Sequence, residues 1–148
     1  MKKLIVIAFL FPFVLCAQTQ SLTINKKNIG KVECSESITI TSSGDTARDI
    51  IFAFRNEEYQ VLKDYQTILI PLNKKEITLL IEDLKQATAP MSAKGTILWD
   101  RGNYLIQVYD WTQKIYLRTP EKYQKGYVTI TNKQAEKIID WLTPLIPQ

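Results

Sequence analysis

Two lysines open the chain, and twelve apolar residues follow without a break from Leu4 to Leu15. Beyond the polar Gln18-Thr19-Gln20-Ser21 the pattern changes to short β-branched runs, which read as strands over Ser21 to Asn25, Lys31 to Cys34 and Ser37 to Thr41. Asn28-Ile29-Gly30 and Ser42-Ser43-Gly44-Asp45 read as turns between them. Asp49 to Arg55 and Gln60 to Leu72 continue the strand pattern on either side of the polar Asn56-Glu57-Glu58. From Asn73 the period becomes helical. Ile77, Leu80, Ile81 and Leu84 share one face, and Lys74, Lys75, Glu82, Asp83 and Lys85 fall on the other. Asn73 with Glu76 three residues later makes a capping-box signature, and Pro90 bounds the far end.

The second half repeats this grammar. Gly95 to Asp100, Tyr104 to Asp110, Lys114 to Thr119 and Gly126 to Ile130 read as strands. Arg101-Gly102-Asn103 and Trp111-Thr112-Gln113 supply turns. A helix follows whose apolar face is Ala135, Ile138, Ile139 and Leu142, and Pro144 closes it. Shifting one half by 58 residues lays Ile70 and Leu72 on Val128 and Ile130, and the caps Asn73 and Glu76 on Thr131 and Gln134. The same shift superposes the two apolar helix faces and sets Glu82 on Asp140. Cap, strand and helix agreeing at one shift argue for an internal duplication over 18–88 and 95–146. The predicted class is α+β, a single domain over 18–148, mostly antiparallel sheet with two amphipathic helices in the order ββββα-ββββα.

That order, carried by Ile68 to Leu84 and Gly126 to Leu142, resembles the tandem arrangement of the Whirly family of single-stranded-DNA-binding proteins. It is also similar to the related transcriptional-coactivator fold, which dimerises into the same shape. The family's Lys-Gly-Lys-Ala-Ala-Leu run is missing, since this chain reads Ser92-Ala93-Lys94-Gly95-Thr96 there. The resemblance therefore implies a fold and carries over no function.

The opening segment has the charged and apolar regions of a secretory signal and is shorter than the roughly 20 apolar residues of a membrane span. Cleavage is expected after Ala17, although Leu15 is large for the −3 position. Acylation of Cys16 is the lesser expectation, because Leu15 stands where a lipoprotein signal has a small residue. The expected protein is exported, periplasmic or secreted, with no stable membrane anchor. Cleavage removes Lys2 and Lys3 from 19 basic residues and none of the 15 acidic ones, so the formal charge of +4 falls to +2. The basic pI near 9.0 then stops arguing for a nucleic-acid partner. Cys34 is left as the single mature cysteine, so no internal disulfide forms, and burial is its expected fate.

The chain has no histidine, which excludes Ser-His-Asp and Cys-His catalysis. Its five glycines form no phosphate loop, and no cysteine pair has metal spacing. Neither a cofactor nor a metal is expected. Asp45, Asp49, Asp100 and Asp110 are the material for a carboxylate hydrolase, an alternative reading weakened by the turn positions of Asp45 and Asp100. The stronger signal is aromatic. Of ten Trp and Tyr residues, eight lie between Trp99 and Trp141. A four-residue hairpin loop at Asp110 to Gln113 sets Val108 opposite Ile115 and Gln107 opposite Tyr116. Ile106, Val108, Ile115 and Leu117 then face the core. Leu105, Gln107, Tyr109, Tyr116 and Arg118 face away, in phase with Tyr127 and Thr129, and Trp111 tips the loop.

Tyr109, Trp111, Tyr116, Arg118 and Tyr127 are the candidate recognition residues, because Tyr, Trp and Arg anchor interfaces. Packing of that face against the first-half sheet is the competing structural reading. Trp141 is expected to plug its helix onto the sheet. The functional expectation is a small non-catalytic interaction protein with a protein partner, of inhibitor or immunity type. A binder of polymers or single-stranded nucleic acid on the tandem platform is the alternative.

Overall fold

The computed structural model describes residues 19–58, 64–90, 96–109, 112, 114–120 and 126–148. Strands β1 (Gln20–Ile29), β2 (Val32–Ile40), β3 (Thr46–Arg55) and β4 (Tyr65–Pro71) form one antiparallel meander, and helix α1 (Lys74–Thr88) follows. Strands β5 (Thr96–Asp100), β6 (Leu105–Tyr109), β7 (Ile115–Arg118) and β8 (Tyr127–Ile130) form a second meander, followed by helix α2 (Asn132–Leu142) and a short 3₁₀ turn. The order ββββα-ββββα is therefore the architecture, and the fold is α+β. Among the described residues no helix is long and apolar enough to cross a membrane.

Alternation decides the inner faces. Val32, Cys34, Ile50, Phe52, Phe54, Ile68 and Ile70 of the first sheet are buried, as are Ile106, Val108, Ile115, Leu117, Val128 and Ile130 of the second. With Ile77, Leu80, Leu84, Ala135, Ile138 and Leu142 of the two helices they make one continuous core, and α1 packs directly on α2. Trp141 does plug its helix onto the first sheet: its indole Nε1 donates to the Asn25 carbonyl at 3.1 Å, and its ring lies 6.4 Å from that of Phe52. The helix caps sit where the pattern puts them. Asn73 accepts from the Glu76 amide, while Thr131 and Gln134 complete a reciprocal capping box.

Three details differ from the pattern, each for a polar reason. The two strands expected over Lys31 to Cys34 and Ser37 to Thr41 are one, β2, which starts at Val32, ends at Ile40 and runs through the polar Ser35-Glu36. Glu36 points inward and is fully buried, and it is held by Arg48 Nε at 2.7 Å and Asn25 Nδ2 at 2.9 Å. Strand β1 correspondingly extends to Ile29, and its register against β2 shifts between Ile24 and Lys27, where Asn25 takes a left-handed φ of 52°. The connecting turn is Gly30-Lys31. Asp83, which the helical period assigns to solvent, is also fully buried. It accepts from Arg101 at 2.8 and 2.6 Å and from the Tyr104 hydroxyl at 2.9 Å. The last strand of the first half begins, as described, at Tyr65; Gln60 to Lys63 lie outside the described residues.

Candidate functional site

The segment after β3 determines how the two sheets meet. Past Arg55 the chain turns onto β8, the edge strand of the second sheet. The Glu57 amide donates to the Tyr127 carbonyl at 2.9 Å, and the Tyr127 amide donates to Asn56 Oδ1 at 3.2 Å. Glu57 Oε2 then accepts from both the Thr129 amide at 2.9 Å and the Thr129 hydroxyl at 2.7 Å. Two residues thus satisfy backbone donors and acceptors that an edge strand otherwise leaves open. Asn56 is almost fully buried, and its amide Nδ2 reaches Asp64 at 3.1 Å. Gly126 permits this approach, since a Cβ there would lie 2.6 Å from Gln66 Cγ and 3.2 Å from Asn56 Cγ.

Beside that seam lies a groove of about 960 Å³ lined by residues of both sheets. One wall is Glu33, Ala53, Arg55 and Tyr65 from β2, β3 and β4. The other is Lys114, Tyr116, Tyr127 and Thr129 from the second sheet, with Asn56 and Glu57 between them. Tyr65 is 72% exposed. Tyr116 meets Tyr127 with centroids 5.4 Å apart and a tilt of 55°, and meets Tyr109 edge-on at 5.1 Å and 87°. These are favoured aromatic geometries, so the three rings brace one another diagonally across β6, β7 and β8. Arg118 Nη1 donates to Gln107 Oε1 at 2.7 Å on the same face.

The electrostatics follow from these contacts. Burial pushes the Glu57 carboxyl upward, but hydrogen bonds from Lys31 and Thr129 outweigh it, and the net pKa is below the usual 4.5. Burial together with the neighbouring Tyr116, Glu57 and Glu58 raises the Tyr127 phenol, so its hydroxyl stays protonated. Cys34 is remote from this chemistry. Its burial pushes the thiol up to about 12, which leaves it an inert core group.

Of the five candidate recognition residues, Tyr109, Tyr116, Arg118 and Tyr127 share the half-exposed outer face of the second sheet, and Tyr116 and Tyr127 line the groove. Trp111 lies outside the described residues, as does Asp110. Sequence reasoning missed Tyr65, Lys31, Asn56 and Glu57, which come from the other sheet or the seam. The remaining carboxylates of the hydrolase reading are dispersed. Asp45 accepts from Ser43 at 2.6 Å, and Asp100 accepts from the Gly102 amide at 2.9 Å, each within its own turn. Asp49 lines a separate hollow of about 380 Å³ with Thr67, Leu69, Pro71, Asn103 and Pro120. Among the described residues no three His, Cys, Asp or Glu side chains gather as a metal site. No protein-family model, curated protein or solved structure matches the chain.

Proposed function

We propose that this chain is a small, exported, non-catalytic interaction protein that recognises a protein partner through the groove between its two sheets. One observation carries the reading: Tyr65 from the first sheet and Tyr116 and Tyr127 from the second converge on a single cleft of about 960 Å³. Tyrosine combines a large apolar ring with a hydroxyl that tolerates water, so a tyrosine-lined cleft is stable when open and gains on being covered. Interfaces draw most of their affinity from a few such residues together with arginine, and Arg55 and Arg118 flank the rings. The bracing of Tyr116 between Tyr109 and Tyr127 lowers the ordering cost on binding. Export rests on the Met1 to Ala17 pattern, which makes Gln18 the first mature residue.

The test is quantitative co-purification from extracytoplasmic fractions of the source cell, comparing the native chain with a Tyr65→Ala/Tyr116→Ala variant. A specific protein enriched on the native chain and reduced about tenfold or more on the variant is expected, since each lost aromatic anchor removes roughly 1–2 kcal/mol. Equal recovery on both chains contradicts the groove as the site. The mass of the purified protein checks export, and a species beginning at Gln18 is the expected result.

A further inference from the structure

An edge strand leaves one row of backbone N–H and C=O groups without a strand partner, and folds usually defend such edges. Strands β1, β4 and β8 are defended edges. β1 carries Lys26 and Lys27, its register breaks between Ile24 and Lys27, and its Asn25 carbonyl is taken by the Trp141 indole. β8 is clasped by Asn56 and Glu57. β4 ends on Pro71 and borders a hollow shared with Asn103 and Pro120 of the second half. The remaining edge, β5, reads Thr96-Ile97-Leu98-Trp99-Asp100, without lysine, proline or bulge. Its apolar side chains are open too, Ile97 being 38% and Leu98 51% exposed.

The ladder with β6 fixes which backbone groups face outward. The Arg101 amide donates to the Tyr104 carbonyl at 3.1 Å, so these two form a hydrogen-bonded pair. Bonded and non-bonded pairs alternate in an antiparallel ladder. Counting back from Arg101, Trp99 and Ile97 bond to β6, while the N–H and C=O of Thr96, Leu98 and Asp100 point away from it. Among the described residues no strand pairs with that side.

We propose that β5 pairs antiparallel with β5 of a second copy of this chain, about a two-fold axis at Leu98, joining two four-stranded sheets into one continuous sheet. In that register the strand is its own complement. Leu98 meets Leu98 of the second copy on the outer face, and Ile97 meets Trp99 on the helix side, where Gln86 already holds the indole at 3.1 Å. Asp100, the one charged residue, falls opposite Thr96 rather than another carboxylate. An axis at Leu98 is also the arrangement that gives all three outward residues a partner within the strand. Centring on Ile97 or Trp99 leaves Asp100 or Thr96 without one, and centring on Asp100 sets two carboxylates against each other. β5 and β8 are opposite edges of their sheet, so pairing leaves the tyrosine groove of each copy open.

The test is sedimentation equilibrium of the mature protein across a wide concentration range. A reversible monomer–dimer equilibrium is expected, weakened about tenfold or more in Leu98→Lys, which replaces an apolar cross-strand pair by like charges. Leu22→Lys, at an exposed position on the β1 edge, is expected to leave it unchanged. Hydrogen-bonded antiparallel pairs hold their Cα atoms about 5.5 Å apart, within disulfide reach. Leu98→Cys is therefore expected to form a covalent dimer on mild oxidation and Leu22→Cys none, the native Cys34 being buried. A monomer at every concentration overturns the proposal. A dimer weakened equally by Leu98→Lys and Leu22→Lys, or by neither, overturns the assignment to β5. A dimer sensitive to Leu98→Lys that gives no Leu98→Cys disulfide overturns the register. The Tyr65→Ala/Tyr116→Ala variant is expected to dimerise like the native chain, and its failure to do so overturns the separation of this edge from the groove.

Discussion

Asp83 illustrates how a single side chain departs from its pattern. On α1 it sits one position from the exposed Glu82, and a count of helical periods cannot tell the two carboxylates apart. The partners that bury Asp83, Arg101 and Tyr104, lie 18 and 21 residues further along the chain. Nothing local announces them. Asp83→Ala strands the buried Tyr104 hydroxyl and leaves the partly exposed Arg101 to water, so it is expected to cost about 1–3 kcal/mol in urea unfolding. Glu82→Ala is expected to stay within about 0.5 kcal/mol of the parent. Equal effects at the two positions contradict the buried assignment.

Glu57 makes a pH prediction at the same scale. Its folded pKa lies below the ordinary 4.5, so the fold favours the ionised form. That contribution is fully present above the unfolded-state value and is lost as pH falls through the folded value. Thermal stability of the native chain is expected to drop more steeply below pH 4.5 than that of Glu57→Gln, which keeps an acceptor for Thr129 but does not titrate. Parallel pH profiles contradict this.

At the scale of elements, the second half was the more legible. The register Gln107 with Tyr116 and Val108 with Ile115 follows from alternation and loop length, and the ladder observes both. Both helix caps were readable because Asn73, Glu76, Thr131 and Gln134 act within four residues of themselves. Strand β2 was divided in the sequence reading because Glu36 looks like an interruption. Its inward position depends on Arg48, twelve residues on, and on the bulge at Asn25.

One coupling between elements is specific enough to measure. Gly30, at the β1–β2 turn with φ +62°, lies so close to α2 that a Cβ would fall 1.9 Å from Gln134 Nε2. Gln134 is also the residue whose side chain caps Thr131. Gly30→Ala is expected to cost about 1 kcal/mol for the backbone and about 1 kcal/mol more for the displaced cap. In a Gln134→Ala background only the backbone part remains, and a double-mutant cycle reads the difference. Strict additivity contradicts the contact.

At the scale of the whole molecule, the shift of 58 residues lays β4 and α1 on β8 and α2, and each of these strand–helix units closes a four-strand meander. Half of the groove was legible with it, since alternation along β6, β7 and β8 is enough to gather Tyr116, Arg118 and Tyr127. The other wall was not legible. Tyr65 belongs to a strand whose outer residues carry no local mark of function, and it lines the same groove as Tyr116 beside the Asn56 and Glu57 clasp on β8. A periodicity describes which face a residue occupies within its own sheet, and it is silent on the angle at which two sheets meet.

The most direct measurement is site-resolved photo-crosslinking in the source cell. A photoreactive residue is placed at Tyr65 or Tyr116 in the groove, or at Leu22 and Glu82, which are exposed elsewhere. A discrete protein adduct is expected from both groove positions and none from the other two. Adducts from Leu22 or Glu82 with none from Tyr65 and Tyr116 would contradict it.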